Sequence, residues 1–436
     1  MDYYKKLYQK IDQQKATVTV IGMGYVGLPL ALLFAQQGLR VFGLDLDVKK
    51  IDALNRGQSY ISDIASKEVK AAVGSKLFNP VSSPTCIRQS EAVVICVPTP
   101  LNRLKNPDLS FVISAAEAIQ KNSKPGQLII LESTTYPGTT DEVLLPIFEK
   151  GGRKAGKDFF LCFSPERIDP GNAKYKPQNI PKVVGGITPQ CTKLASLLYS
   201  HVMQTVIPVS SSRTAEMAKL LENTFRIVNI GLMNELAMAA KSLNVDIWEA
   251  IDAAKTKPFG FMAFYPGPGI GGHCIGVDPL YLSWKARYHG TELKFIELAG
   301  AMNKAMPEFV VQQAGQALSK YLKKALHGAK ILVLGVAYKK NIEDVRESPA
   351  LEIIEQLEHL GAVVSYSDPH VPNLTIGNKK YKSVAFASAQ IRAADLVLIT
   401  TDHELFDYAT VVKQARLIFD TRNVLKNFNS KKIVRL

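Results

Sequence analysis

Cysteine is scarce in this sequence. Its 436 residues include only five cysteines, scattered along the chain as Cys86, Cys96, Cys162, Cys191 and Cys274. They form no CxxC pair and no cluster with several histidines. Disulfide-bonded scaffolds and structural zinc sites depend on such spacing, so both are excluded as the basis of the fold. We therefore expect no metal site and a reducing cytoplasm, in which one of the thiols can still act as a nucleophile.

An uninterrupted apolar segment of membrane-spanning length is also missing. The nearest approach is residues 17–35, but three glycines and Pro29 interrupt that segment,. No basic segment, short apolar segment and small-residue cleavage site follow one another near the start. We therefore expect no signal peptide and no membrane partner.

Positive charge is abundant but not concentrated. The formal net charge is +14, yet neither a basic run nor a nucleic-acid-binding motif accompanies it. We therefore expect no nucleic-acid partner. Two interpretations remain open, namely a generally basic surface and a cleft that attracts phosphate-bearing small molecules.

The apolar pattern indicates an α/β protein. Short β-rich segments alternate with helical patterns, which is typical of parallel sheets built from βαβ units. These segments lie at 18–22, 41–45, 92–97, 128–131 and 159–163, and again at 331–336, 363–367, 396–400 and 417–420.

Helical patterns fill the remaining parts of the chain. Residues 1–11 predict an amphipathic helix, and residues 213–244 predict a long helix followed by shorter helices up to about residue 326,. We predict two Rossmann-like, doubly wound parallel-sheet domains joined by a long central helix and a helical region. The predicted boundaries are 1–212, 213–327 and 328–436.

A dinucleotide-binding pattern follows the first predicted strand. Gly22, Gly24 and Gly27 form GxGxxG with Tyr25 and Val26 between them, where a strand ends and a helix begins. Such glycines permit a tight turn, approach of a pyrophosphate to the backbone, and close helix packing.

Asp45 ends the next predicted strand, where its carboxylate would bind the ribose hydroxyls and repel a 2′-phosphate,. The cofactor is therefore predicted to be NAD, a preference that Lys49 and Lys50 weaken slightly. Pro98, Thr99 and Thr134 follow later strands at the same sheet edge and are further candidates for binding it.

Residues 266–279 hold the strongest chemical signal. This segment is rich in glycine and proline and contains Cys274, with Asp278 four residues later. A lone cysteine is more often a small buried apolar residue, but a polar glycine-rich loop favours a nucleophile. A dyad with the adjacent His273 is disfavoured, because adjacent side chains rarely point together.

Two further groups could support chemistry. Lys219 and Asn223 are four residues apart on the predicted long helix, hence on one face,. They could stabilise a developing alkoxide, although an exposed surface lysine is the usual alternative. Glu166, followed by Arg167, offers a carboxylate at the sheet edge.

Together these motifs resemble the UDP-glucose/GDP-mannose dehydrogenase family over nearly the whole chain. Within it, His273 and Val277 resemble members that act on UDP-N-acetylhexosamines, and UDP-N-acetylglucosamine 6-dehydrogenases are the most similar branch. The matching segments are 22–27 with Asp45, 133–134, 164–167, 216–223, 267–278, 335–339 and 421–423.

The resemblance implies an N-terminal NAD-binding domain, a central dimerisation region and a C-terminal UDP-binding domain. Cys274 would be the nucleophile, Lys219 and Asn223 would stabilise the oxyanion, and Asp278 would assist through water. Thr134 and Glu166 would position water or act as a base, and the choice of carboxylate stays open. The implied substrate contacts are Glu166, Arg167, Lys219, Asn223, Tyr265, Gly267, Gly269, Gly271, Gly272, Lys339 and Arg422.

The implied reaction is the NAD-dependent, two-step oxidation of the C6 alcohol of UDP-N-acetylglucosamine through a cysteine-bound thiohemiacetal and thioester, by a homodimer, for cell-surface polysaccharide synthesis. UDP-N-acetylmannosamine, UDP-N-acetylgalactosamine and UDP-glucose are alternative substrates. A hydroxyacid dehydrogenase would need neither Cys274 nor a second α/β domain. A non-catalytic NAD or nucleotide-sugar sensor would bind without turnover.

Overall fold

A computed structural model describes residues 2–61, 64–102, 106–167, 175–272 and 275–436. The chain divides into two compact units. The first comprises Met1–Glu222 and Trp284–His289, and the second comprises Asn223–Ser283 and Gly290–Leu436. The three-part division predicted from the sequence stays a prediction.

The described residues form fourteen α-helices and fifteen β-strands. The helices are α1 (Tyr3–Asp12), α2 (Gly27–Gln36), α3 (Val48–Asn55), α4 (Ser66–Gly74), α5 (Ser110–Asn122), α6 (Leu145–Phe148), α7 (Pro189–Ser200), α8 (Ser212–Leu243), α9 (Ile247–Ala254), α10 (Asp278–Tyr288), α11 (Lys294–Leu322), α12 (Pro349–His359), α13 (Ser388–Ala393) and α14 (Tyr408–Gln414). The strands are β1 (Thr17–Ile21), β2 (Arg40–Leu44), β3 (Phe78–Val81), β4 (Ala92–Ile95), β5 (Leu128–Leu131), β6 (Phe160–Phe163), β7 (Lys182–Gly186), β8 (Val206–Val209), β9 (Lys330–Leu334), β10 (Val363–Ser367), β11 (Asn373–Ile376), β12 (Lys379–Lys382), β13 (Leu396–Ile399), β14 (Ile418–Asp420) and β15 (Ile433–Arg435).

The first unit is built on an eight-stranded sheet in the order β3-β2-β1-β4-β5-β6-β7-β8. Its two faces bury separate apolar cores, because alternate residues of a strand point to opposite sides. In β4, Val94 packs into one core together with α2 and α7, whereas Val93 and Ile95 pack into the other with α5. All pairs are parallel except β6 with β7.

The predicted strands of this sheet are confirmed, but β3, β7 and β8 were missed. The strands β3 and β8 contain Pro80 and Pro208 and lie at the two edges of the sheet, where a missing backbone donor is tolerated,. The strand β7 ends in Gly185 and Gly186, which weaken a β pattern. These residues hid the strands from a pattern based on apolar runs.

The second unit contains a five-stranded parallel sheet in the order β10-β9-β13-β14-β15 and an antiparallel hairpin of β11 and β12. The prediction of two doubly wound parallel sheets and a long central helix is therefore confirmed. The helices after α8 are shorter than its 32 residues, as expected, although α11 reaches 29 residues and continues through the buried Pro307. Within the ranges given above, no helix combines the length and apolarity needed to cross a membrane.

Candidate active site

The loop between β1 and α2 has the geometry of a dinucleotide turn. Gly22 has a φ of 94°, and a Cβ there would lie 2.5 Å from the Cys96 carbonyl oxygen. A Cβ at Gly27 would lie 1.8 Å from the Gly22 carbonyl oxygen. A Cβ at Gly24 would meet no atom of the described chain within 4 Å. Two glycines thus close the turn, and the third leaves its outer side open to a ligand.

Asp45 follows β2 and faces this turn. Its Oδ2 accepts a 2.8 Å hydrogen bond from the Met23 amide, and its Oδ1 accepts one of 2.9 Å from the Asp47 amide. Lys50 Nζ lies 3.5 Å from Oδ2. The carboxylate is therefore held in place at the sheet edge, with lone pairs left for a ribose.

The remaining predicted cofactor residues surround the same edge. Tyr25 is exposed and Val26 immediately precedes α2, and no described side chain caps the start of that helix. Pro98 is exposed and Thr99 half-buried after β4, next to Cys96. An uncapped helix start, an open glycine and a fixed carboxylate fit the pyrophosphate and ribose of NAD.

The segment after β5 presents hydroxyl groups at the neighbouring position. Ser133 donates a 2.7 Å hydrogen bond to the Val97 carbonyl oxygen, and Thr134 is half-buried. The adjacent Thr135 is buried, and its Oγ1 has no hydrogen-bond partner among the described residues. Sequence reasoning named Thr134 and passed over Thr135, whose unpartnered hydroxyl only the fold shows.

A buried ionic cluster lies at the ends of β5, β6 and β7, and sequence reasoning missed most of it. Lys182 Nζ lies 3.0 Å from Glu132 Oε1 and 3.5 Å from Glu166 Oε2. The Tyr199 hydroxyl donates to Glu132 Oε1. Burial raises the pKa of Glu132, whereas the two carboxylates outweigh burial and raise the pKa of Lys182. Lys182 is therefore a buried cation beside the predicted catalytic Glu166.

Arg167 has partners inside the first unit. Its Nη2 lies 2.7 Å from Glu222 Oε1, and its Nη1 donates a 2.7 Å hydrogen bond to the Pro181 carbonyl oxygen. Glu166 and Arg167 also line a surface pocket with Lys182. A substrate that contacts the Arg167 guanidinium would have to compete with the ion pair between Arg167 and Glu222.

Helix α8 carries two buried ionisable groups one turn apart. Glu216 accepts hydrogen bonds from the Gly138 amide at 2.7 Å and from the Thr140 amide at 2.9 Å. Burial raises the pKa of Glu216 to about 7. Lys219 is only 8% exposed, and no described residue forms an ion pair or hydrogen bond with its ammonium group. A largely buried lysine whose ammonium group has no described partner is a candidate for contact with a ligand,.

In the second unit, the structure brings two of the predicted catalytic residues together. Asn223 Nδ2 donates a 2.5 Å hydrogen bond to Asp278 Oδ2, and both side chains are buried. Asp278 begins α10, directly after the glycine-rich loop. His273 and Cys274 lie outside the described residues.

The glycine-rich loop packs against side chains of its own unit. A Cβ at Gly271 would lie 2.5 Å from the Cβ of Tyr338, and a Cβ at Gly267 would lie 2.8 Å from Arg422 Nη1. At Gly272, whose φ is 86°, a Cβ would lie 2.9 Å from the ring of Tyr338. These glycines are therefore needed for packing within the protein, beyond any close approach to a ligand. Of the other predicted contacts here, Gly269 has a φ of 134° and Tyr265 is exposed and stacked on Trp248.

In the second sheet, as in the first, an aspartate (Asp368) accepts a hydrogen bond from the loop that follows a neighbouring strand. Here a histidine side chain also binds the carboxylate. The amide of Val336, which follows Gly335, donates a 2.6 Å hydrogen bond to Asp368 Oδ2. The buried His403 accepts from the Asn341 amide at Nδ1, so its Nε2 carries the proton and donates to Asp368 at 3.0 Å,. Asp368 is thus not placed to hold a ribose as Asp45 is.

Two predicted basic residues lie at this second edge. Lys339 follows β9 and is half-buried, and Arg422 follows β14. The Arg422 Nε donates a 2.8 Å hydrogen bond to the Thr400 carbonyl oxygen. Parallel sheets bind ligands at the carboxyl ends of their strands, so these two cations are well placed for an anionic group.

Comparison with known proteins shows which family this chain is similar to. The profiles of the UDP-glucose/GDP-mannose dehydrogenase family match over residues 16–203 for the NAD binding domain, 213–305 for the central domain and 332–427 for the UDP binding domain. A UDP-N-acetyl-D-glucosamine 6-dehydrogenase of Pseudomonas aeruginosa is 38% identical, covering 81% of this chain and 83% of that protein. A UDP-N-acetyl-D-mannosamine dehydrogenase of Methanococcus maripaludis is 34% identical, covering 95% of both. A UDP-D-ManNAc dehydrogenase structure from Pyrococcus horikoshii superposes with a TM-score of 0.87 at 31% identity, covering 96% of this chain and 98% of that one.

Proposed function

Because the chain belongs to the UDP-glucose/GDP-mannose dehydrogenase family, whose members are NAD-dependent nucleotide-sugar dehydrogenases, we propose that it oxidises the C6 alcohol of UDP-N-acetylglucosamine to a carboxylate. The observation that carries this proposal is the buried, unpartnered Lys219, four residues before Asn223 on α8. A cation in that state stabilises an alkoxide that develops during reaction.

The first unit supplies the cofactor site. Asp45 would bind the adenosine ribose, and the turn from Gly22 to Gly27 with the start of α2 would hold the pyrophosphate,. Pro98, Thr99 and Thr134 would line the neighbouring part of the same edge. When bound, NAD accepts the hydride that leaves C6.

Cys274 is the proposed nucleophile of the second oxidation. Its thiolate would add to the C6 aldehyde, forming a C–S bond and a thiohemiacetal whose oxygen carries the developing charge. Lys219 and Asn223 would stabilise that oxygen. Loss of a second hydride from C6 leaves a thioester on Cys274, so two cofactor molecules are reduced for each sugar.

Water then hydrolyses the thioester. Glu166 is the proposed base that removes a proton from the water, with the Thr134 hydroxyl positioning it. Asp278 is held by Asn223 at 2.5 Å and would assist through a second water. The thiolate of Cys274 leaves, and the sugar is released as the uronic acid.

The second unit is proposed to bind the uridine diphosphate. Lys339 and Arg422 would neutralise the diphosphate at the sheet edge, and the loop from Tyr265 to Gly272 would enclose the nucleotide. The tight packing of Gly271 and Gly272 on Tyr338 supports a loop held in one shape before the ligand arrives,.

UDP-N-acetylmannosamine is the second candidate substrate. Relatives named for the two sugars are similarly related to this chain: one named for UDP-N-acetylmannosamine is 34% identical over 95% of the chain, and two named for UDP-N-acetylglucosamine are 38% identical over 81% and 32% identical over 95%. The chemistry at C6 is the same for both sugars. The two epimers would therefore differ in how the protein recognises the sugar ring and not in the reaction mechanism. The uronic acid would supply cell-surface polysaccharide synthesis.

A cytoplasmic homodimer is the proposed form of the enzyme. Large apolar side chains lie exposed along one stripe of α8, which is the kind of surface that a partner helix buries. The stripe consists of Met217, Leu221, Phe225, Leu232, Leu236 and Leu243. The proposed cytoplasmic location rests on the sequence, whose few scattered cysteines include no CxxC pair,.

The test is turnover with a panel of UDP-sugars. Purified protein is incubated with NAD and each sugar, and the NADH formed per sugar consumed is measured. Two NADH per UDP-N-acetylglucosamine, with UDP-glucose nearly inert, is the expected result. Two NADH with UDP-N-acetylmannosamine or UDP-N-acetylgalactosamine instead corrects the epimer. One NADH per sugar, or binding without turnover, would refute the two-step proposal.

A further inference from the structure

Glu132 and Lys182 are buried beside the proposed base Glu166, and neither has a role in the proposed reaction. Lys182 is almost inaccessible, with 5% of its side chain exposed, and Glu132 is fully buried. Burying three ionisable groups is costly, and replacing such a cluster by apolar residues is often neutral for stability. Stability alone therefore does not explain why a lysine is buried at this position.

A hydrogen bond and an ion pair hold the two carboxylate oxygens of Glu166. Oε1 accepts a 2.6 Å hydrogen bond from the Arg167 amide, and Oε2 lies 3.5 Å from Lys182 Nζ. Lys182 Nζ also donates to the Pro165 carbonyl oxygen at 3.3 Å, which ties the lysine to the backbone just before Glu166. The Lys182 side chain thus contacts both the Glu166 carboxylate and the backbone of the preceding residue.

The geometry points to Lys182 as a positioning residue for Glu166, and this inference rests on the proposed function. Lys182 would fix the direction of the Glu166 carboxylate toward the hydrolytic water, so it would act on thioester hydrolysis and not on hydride transfer. A misplacement of about 1 Å in a catalytic group can cost roughly 100-fold in rate.

The other groups around Lys182 define the competing explanation. Glu132 is its nearer partner at 3.0 Å, the Tyr199 ring centroid lies 5.1 Å from Nζ, and burial raises the pKa of the Cys96 thiol, which stays neutral. Lys182 could therefore serve only as the counter-ion of Glu132. In that case it matters for folding and not for Glu166.

The two explanations separate in a double variant. Lys182→Met alone leaves Glu132 buried without a counter-ion and can lose stability for that reason. Lys182→Met with Glu132→Gln removes both charges of the pair and restores a neutral interior. Glu132→Gln alone is the matched control, because it keeps Lys182 beside Glu166, and Lys182→Arg tests rescue by a conserved charge.

The measurement is rapid mixing of each variant with NAD and the most active UDP-sugar of the panel, followed by NADH absorbance. In the double variant we expect a burst approaching two NADH per active site at an unchanged rate. The steady state after it should be about 100-fold slower than in the wild type. Glu132→Gln and Lys182→Arg should stay within about fivefold of the wild type in both phases.

Two results with the double variant would overturn the inference. A double variant that recovers the wild-type steady state shows that Lys182 serves Glu132 alone, and a burst that slows together with the steady state shows a general structural defect. If the wild type forms one NADH or none per sugar, the proposed function fails first and the inference falls with it. If the double variant does not fold, the comparison uses Glu132→Gln. A slower steady state in Glu132→Gln with an unchanged burst would assign the role to Glu132 and would also overturn the inference.

Discussion

Replacing Lys219 by methionine should stabilise the fold while it removes the activity. Lys219 is 8% exposed on α8, and no described residue bonds with its ammonium group. A lysine kept for stability would have a partner that repays the partial desolvation of its side chain, and none of the described residues provides one,. We infer that the cost is tolerated for the sake of the reacting oxygen.

The magnitudes follow from this burial. An unsatisfied buried polar group costs roughly 1–3 kcal/mol, and methionine has a similar length with no charge to desolvate. The melting temperature of Lys219→Met should therefore rise by about 1–3 °C for a protein of 436 residues,. Losing one preorganised donor to an oxyanion lowers kcat by about 100-fold to 1000-fold.

Differential scanning calorimetry and steady-state NADH production measure the two effects on the same preparation. Lys219→Arg is the matched control, since it keeps the charge and should keep the low stability. A melting temperature that falls in Lys219→Met, with kcat reduced only in proportion to unfolded protein, would refute the reasoning. Lys219 would then be a structural residue.

Three further predictions concern other parts of the chain. Because burial raises the pKa of Glu216 to about 7 from an ordinary 4.5, its contribution to stability is present below about pH 4.5 and is lost as the pH rises through 7. Denaturant titrations should therefore show the wild type losing about 2 kcal/mol relative to Glu216→Gln between pH 5 and 8, and equal slopes would contradict this. Gly271→Ala should raise the KM for the UDP-sugar at least tenfold and leave the KM for NAD unchanged, because its Cβ would lie 2.5 Å from that of Tyr338,; a rise in both would indicate general damage. Leu221→Glu with Leu232→Glu should convert a dimer into monomers in sedimentation velocity, since both side chains are about half exposed on one face of α8,; an unchanged dimer would place the interface elsewhere.

Much of the fold could be predicted because the chain repeats a simple pattern. Each inner strand is a short apolar run, and β1, β4 and β5 are buried along nearly their whole length. The edge strands do not follow that rule. The strand β8 has β-branched apolar residues, but it is only partly buried, and Pro208 within it argues against a strand when the sequence is read alone,.

Site residues could be predicted where they belong to a short sequence motif. Asp45 stands at a fixed distance after a glycine pattern, and the structure holds its carboxylate against the Met23 amide. Lys182 belongs to no such motif. It comes 50 residues after Glu132 and 16 after Glu166, so only the pairing of separate strands brings the three together.

Thr135 and Glu216 were missed for a similar reason. The hydroxyl of Thr135 differs from that of Thr134 only in its burial, which depends on the neighbouring strands. Glu216 looks like an ordinary helix residue until the turn at Gly138 closes over it. Long-range contacts decide these roles, and a single sequence does not record them.

The most direct test of the two-step mechanism is the fate of Cys274. Protein mixed with NAD and the active UDP-sugar is quenched in acid during turnover, and the peptide that contains Cys274 is examined by mass spectrometry. We predict the mass of the uronyl thioester on Cys274 in the wild type and no second NADH from Cys274→Ala. Two NADH per sugar from Cys274→Ala, with no adduct in the wild type, would contradict the account.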